Sequence, residues 1–133
     1  MLDGARTGLG FGRTLDRPYA EVVEATEKAL AAEGFGILSR IDVQATLKAK
    51  LDRNIPPYVI LGACNPPLAH RALTAQPEVG LLLPCNVVVR DVGGKTRVEA
   101  LDPQLMSRMI PSTELATVAS EATARLRRAL ESL

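Results

Sequence analysis

Two runs of alternating side chains, separated by Gly93-Gly94, restrict the possible folds of this chain more than any other feature. Residues 85–90 and 96–101 both alternate with the period of two that sends successive side chains to opposite faces of a strand. The residues predicted to share one face of their strand are Cys85, Val87 and Val89, and then Thr96, Val98 and Ala100. A Gly-Gly pair between two such runs is typical of a tight hairpin turn. The sequence therefore predicts two adjacent antiparallel strands, which excludes a purely parallel sheet.

The rest of the chain predicts strands and helices in alternation. Short apolar runs at 8–15, 35–41 and 58–63 favour strands. Apolar residues at helical spacing favour helices that start at Asp16, Asp42 and Asn65, which can cap them, and at Ser112. The predicted order is β-α-β-α-β-α-β-β-α. It favours an α+β fold whose curved sheet carries its helices mainly on one face.

The composition favours one globular domain that spans residues 1–133. Hydrophobic residues make up 47% of the 133, enough for an aliphatic core. Sixteen basic residues nearly balance fifteen acidic ones and aromatic residues are scarce, so the sequence predicts no nucleic-acid partner. No segment has the roughly 20 apolar residues of a membrane span, and residues 1–10 lack the order of a signal peptide, so no membrane partner is predicted either. Two cysteines in a chain of this size favour the reducing cytoplasm.

The unusual residues are concentrated in two segments, 62–70 and 83–86. Cys64 lies where a predicted buried strand gives way to a helix, and the dipole of that helix favours a thiolate. The ring of His70 is expected to lean back over the first helical turn. Cys85 begins a strand that can approach the same edge. We therefore predict that Cys64, His70 and Cys85 are the candidate site residues and that they converge at one opening.

Several kinds of chemistry fit these three residues, and so does a structural role. Cys64 with His70 as its base would be a nucleophile, whereas Cys64 and Cys85 would form a reversible disulfide. All three together would bind a soft or borderline metal ion, although their spacing matches no zinc-finger motif. A free cysteine also packs as a small hydrophobic residue. In a ligand pocket, Asn65 and Asn86 would be the binding residues, and Asn65 is equally explained as a helix cap.

Glycine and proline positions bear on two further kinds of site. Gly8, Gly10 and Gly12 share one face of the first predicted strand and allow another element to approach closely, more often a helix than a ligand. Their spacing lacks the third glycine of a dinucleotide-binding motif. Pro66 and Pro67 remove two N–H donors from the start of their helix, which argues against a phosphate site there.

Three blocks of sequence resemble a known family. They are YVILGACNPPLAHRAL at 58–73, LLLPCNVVVRD at 81–91 and LDPQLM at 101–106. These blocks are similar to the bacterial and archaeal family called domain of unknown function 302, and the resemblance covers most of residues 8–110. It implies an α+β fold with a curved, largely antiparallel sheet, and a homodimer, but it implies no activity. The helix at about 112–131 would be an addition to this family-like core.

The function that the sequence favours is a homodimeric module that binds a small ligand or acts as an accessory protein. The alternative is a thiol- or metal-dependent site built on Cys64, His70 and Cys85. His70 is the only histidine, so no Ser-His-Asp set is indicated. The sequence identifies neither an enzyme class nor a cofactor.

Overall fold

Six strands form one antiparallel sheet in the computed structural model, which describes residues 2–4 and 7–133. The strands are β1 (Asp3–Gly4), β2 (Gly10–Leu15), β3 (Gly36–Asp42), β4 (Tyr58–Cys64), β5 (Cys85–Val92) and β6 (Lys95–Leu101). The helices are α1 (Tyr19–Ala32), α2 (Val43–Leu51), α3 (Pro66–Ala75), α4 (Gln104–Met109) and α5 (Thr113–Glu131), with a 3-10 helix at Pro77–Leu82. The order across the sheet is β1-β2-β6-β5-β4-β3. The predicted α+β fold and its order of elements are confirmed, and β1 is an additional strand.

Side-chain caps fix the residues at which α2 and α3 begin. Asp42 accepts a hydrogen bond of 2.8 Å from the backbone N–H of Ala45 at the start of α2. Asn65 accepts one of 3.3 Å from Leu68 at the start of α3, so both predicted caps are confirmed. The predicted cap Asp16 is wrong, because Pro18 occupies the capping position of α1 and makes no side-chain bond there.

No helix in the described part of the chain has both the length and the apolarity needed to cross a bilayer.

The buried side chains form two clusters that meet along α5. The first cluster lies between one face of the sheet and helices α1 and α5, and includes Leu61, Val87 and Leu126. The second lies among α3, the 3-10 helix, α4 and α5, and includes Leu68 and Val118. Helix α5 contributes to both clusters because its apolar stripe runs along nearly its whole length. It therefore ties the sheet to the smaller helical layer.

The opposite face of the sheet carries side chains that belong to neither cluster, and we call it the open face. Strand alternation and register place on it Ser39, Ile41, Tyr58, Ile60, Asn86, Val88, Arg90, Arg97, Glu99 and Leu101. An antiparallel sheet packed on one face only leaves the other face available to solvent or to a partner.

The surroundings of Gly10 and Gly12 show which element approaches the glycine-bearing face of β2. A β-carbon built at Gly10 would collide with the carbonyl oxygen of Ala100, and one at Gly12 would collide with that of Val98. The element that approaches these glycines is therefore the neighbouring strand β6, rather than a helix or a ligand.

Candidate functional site

An apolar cavity of about 320 Å³ opens where the end of β4, the start of β5 and helix α3 come together. Helix α3 supplies Leu68, Ala69, Ala72 and Leu73 to its wall, one continuous side of the helix. Further lining residues come from other elements and share an apolar character: Phe35, Leu38, Leu83, Pro84, Met106, Val118 and Ala122. Within residues 2–4 and 7–133, 17 residues line the cavity, and none of them is Asp, Glu, Lys, Arg or His. Its chemical character is therefore that of a small hydrocarbon-like site.

Cys64 and Cys85 both line this cavity, as predicted for the two sulfurs. They lie close together because Ala63, which precedes Cys64, is directly paired with Cys85 across β4 and β5. Both cysteines are free and half-buried. Burial raises the pKa of the Cys85 thiol to about 11, and the charge of Cys64 adds to the effect. Cys85 is therefore a neutral thiol at physiological pH.

His70 does not reach the cavity, so the prediction that it converges with the two sulfurs is wrong. Its side chain is exposed and absent from the cavity wall. Successive helical residues are about 100° apart, so His70 points roughly 130° away from the middle of the α3 side that lines the cavity. The backward lean of helical side chains cannot compensate for so large an angle.

Cys64, His70 and Cys85 do not form the predicted metal site either, because His70 faces away from the cavity. Within residues 2–4 and 7–133, no group of three or more His, Cys, Asp or Glu side chains lies close enough together to hold a metal ion. Cys64 and Cys85 remain as a pair, without His70.

The two predicted ligand-binding amides lie in different places. Asn65 lines the cavity, but its oxygen caps α3 and its nitrogen donates to the backbone oxygen of Glu33 at 3.5 Å. Asn86 is exposed on the open face, in a shallow groove of about 390 Å³ that also contains Tyr58 and Arg90. The amide of Asn65 is thus engaged within the fold, and Asn86 cannot contact the same ligand as Cys64.

A comparison with known families decides what the chain is. The model of the family described as "Domain of unknown function DUF302" matches residues 11–133. The chain belongs to the DUF302 family. The match runs through α5, so the helix that we expected outside the family-like core lies within the DUF302 region.

A solved DUF302 structure has the same fold. The crystal structure of an uncharacterized conserved DUF302 protein from Bacillus stearothermophilus matches with a TM-score of 0.86 and 31% sequence identity. The match covers 92% of this chain and 96% of that chain. No curated protein matches the sequence. Membership of DUF302 therefore establishes the family and the fold, and it transfers no activity.

Sequence reasoning brought the two cysteines of the cavity together and did not predict the rest of its wall. The helical stripe at 68, 69, 72 and 73 is visible in the sequence and forms the α3 wall. Leu38, Met106, Val118 and Ala122 reach the cavity from elements far away along the chain. Nothing in their local sequence distinguishes them from ordinary core residues.

Proposed function

We propose that this DUF302 protein is a homodimeric module that binds a small, uncharged, predominantly apolar molecule in the cavity beside Cys64. The observation that carries the proposal is an open cavity with an almost wholly apolar wall. Its volume of about 320 Å³ is at the lower end of the roughly 300–1,000 Å³ of small-molecule sites. We place the protein in the cytoplasm, where both thiols would stay reduced.

The lack of charged side chains among the described residues of the wall supports an uncharged ligand. Burying an ion without a partner is strongly unfavourable, and the raised pKa of Cys85 reflects the same poor solvation of anions. The single amide in the wall, that of Asn65, already has partners for its oxygen and its nitrogen. Affinity would therefore come mainly from apolar contact.

The two most specific DUF302-like blocks both contribute to this cavity. The Gly-Ala-Cys-Asn-Pro block supplies Ala63, Cys64 and Asn65, and the Leu-Pro-Cys-Asn block supplies Leu83, Pro84 and Cys85. The segments are about 20 residues apart in sequence and meet because β4 and β5 are neighbours. The blocks that carry the resemblance thus form one part of the proposed site.

Filling the cavity from α3 is expected to abolish most of the binding. The probe is N-phenyl-1-naphthylamine, an uncharged fluorophore, titrated into the natively purified protein. Ala69→Phe places a phenyl ring in the cavity and is expected to weaken binding at least about 10-fold, because the ring occupies the ligand's space.

The matched control is His70→Phe, which adds the same ring to the next residue on the exposed side of α3 and should leave the affinity unchanged. The anionic analogue 8-anilinonaphthalene-1-sulfonate should bind at least about 10-fold more weakly than the neutral probe. Equal affinity of wild type and Ala69→Phe, or tighter binding of the anion, would contradict the proposal.

A thiol-dependent reaction at Cys64 is the second candidate function. Two free thiols line one cavity that excludes charged groups, which would bring an apolar electrophile or oxidant next to Cys64. His70 cannot act as the base in this arrangement, because it faces away from the cavity. Cys85 contributes as a neutral thiol, since its pKa is raised to about 11.

Alkylation with N-ethylmaleimide tests this candidate one thiol at a time. In a Cys64→Ser variant, Cys85 should still react more slowly at pH 7 than an unperturbed cysteine, because burial, the larger cause of its raised pKa, remains. The midpoint of its pH–rate profile should lie above that of free cysteine and below the pKa of about 11 in the wild type, since the charge of Cys64 is gone.

A thiol-dependent reaction at Cys64 requires that this thiol be alkylated rapidly. In a Cys85→Ser variant, Cys64 should be labelled faster than free cysteine at pH 7, and His70→Ala should leave that rate unchanged. A Cys64 rate at or below that of free cysteine would eliminate this candidate.

A further inference from the structure

An apolar row crosses three strands at the centre of the open face. Ile41 in β3 is directly paired with Ile60 in β4, and Ile60 is paired with Val88 in β5. Directly paired side chains in an antiparallel sheet stand side by side on one face. Ile41 is 48% exposed, and Ile60 and Val88 are half-buried. No residue of this row belongs to either core cluster.

Charged residues of both signs flank the apolar row. The Nε atom of Arg90 lies 3.1 Å from Oε1 of Glu99, and the Nε atom of Arg97 lies 3.4 Å from Oε2 of the same carboxylate. Asp3 accepts a further bond from Arg97. Among residues 2–4 and 7–133, these two arginines balance these two carboxylates, so the described face has an apolar centre and a polar rim of both charges. Recognition surfaces between proteins have this arrangement.

Helix α2, which directly follows β3, packs only loosely on β4 and has no fully buried residue. Its apolar positions Val43, Leu47 and Leu51 contribute no buried residue, and Leu51 is 64% exposed. A helix of nine residues is marginal in water unless an apolar face packs against something. The region around Ile41 thus combines a loosely packed helix with a partly exposed sheet face.

The total exposed surface of the chain is larger than its mass predicts. The chain exposes 7471 Å², whereas a compact monomer of 14.2 kDa exposes about 6,800 Å². The excess of about 700 Å² means that the chain is less compact than an average monomer of its mass.

We infer that the open face, centred on Ile41, Ile60 and Val88, is the interface between two copies of this chain. A second copy suits it because a rim with balanced charges can face its own two-fold image without net repulsion, whereas a strongly acidic or basic partner would find no complementary field. The inference rests on the homodimer of the proposed function, and it is independent of the ligand cavity, which lies on the other side of β4 and β5.

Sedimentation velocity between about 1 and 100 µM tests the inference with one pair of variants. Wild type is expected to be a dimer at the upper end of this range. Ile41→Glu places a charge in the apolar centre and should raise the dimer Kd at least about 30-fold. Leu81→Glu, at a site that is 87% exposed beside the cavity, is the control and should change the Kd less than about threefold.

The alternative results overturn the inference in separate ways. A wild type that is monomeric up to 100 µM would overturn the inference that a second copy covers the open face. A dimer disrupted by Leu81→Glu and unaffected by Ile41→Glu would move the interface to the cavity rim. Circular dichroism of Ile41→Glu checks its fold, and its titration with N-phenyl-1-naphthylamine should match that of wild type. If wild type did not bind the probe, the proposed ligand binding would be contradicted, and the sedimentation result for the dimer would still stand.

Discussion

Gly12→Ala is expected to lower the free energy of unfolding by about 3 kcal/mol, measured by urea denaturation followed by circular dichroism. The β-carbon of the new residue would collide with the carbonyl oxygen of Val98 and lie 3.0 Å from the α-carbon of Glu99. These are backbone atoms of the paired strand, which cannot move aside as a flexible side chain would. Relief of the collision therefore requires β2 to separate from β6, and this disrupts the ladder from Gly10 to Leu15.

Gly4→Ala is the matched control, because it makes the same change at another strand glycine. A β-carbon at Gly4 has no heavy atom within 4 Å, so the added methyl group should cost less than about 0.5 kcal/mol. If Gly12→Ala were as mild as Gly4→Ala, the close approach of β2 to β6 would not be a feature of the folded protein. The m-value of both variants should equal that of wild type, since the unfolded chain is unchanged.

Local signals were sufficient to predict most of the fold. The hairpin of β5 and β6 follows from strand alternation and from Gly93 and Gly94, whose φ angles of +67° and +92° suit glycine. The starts of α2 and α3 follow from the capping side chains of Asp42 and Asn65. In each case the determining interaction joins residues only a few positions apart, and such interactions are visible in a sequence.

Long-range contacts account for what the sequence did not reveal. The glycines of β2 indicated a close approach, but the approaching partner is β6, which lies more than 80 residues away. Cys64 and Cys85 were expected to meet, and they do so because β4 and β5 are adjacent in the sheet. The prediction for His70 was wrong for a local reason, because its angular position on α3 follows from counting residues from Leu68. A helical wheel of 66–75 would have placed it on the exposed side.

Truncation of a leucine to alanine should lower the free energy of unfolding by a different amount in each of the two buried clusters. Leu126→Ala is expected to lower the free energy of unfolding by about 4 kcal/mol, because Leu126 is fully buried in the cluster between the sheet and α5. Leu68→Ala should cost only about 2 kcal/mol. Leu68 is buried too, but one side of it borders the cavity and has fewer atoms in contact, so its removal sacrifices less dispersion energy.

A ligand should distinguish these two variants further. Saturating N-phenyl-1-naphthylamine should raise the melting temperature of Leu68→Ala by at least as much as that of wild type, because the probe can occupy the enlarged cavity next to Ala63 and Cys64. Leu126→Ala opens space on the sheet side, away from that cavity, and its stabilisation by the probe should equal the wild-type value. Equal penalties for the two truncations, together with probe stabilisation confined to Leu126→Ala, would mean that the space beside Leu68 is packed in solution, and the proposed ligand site would be lost with it.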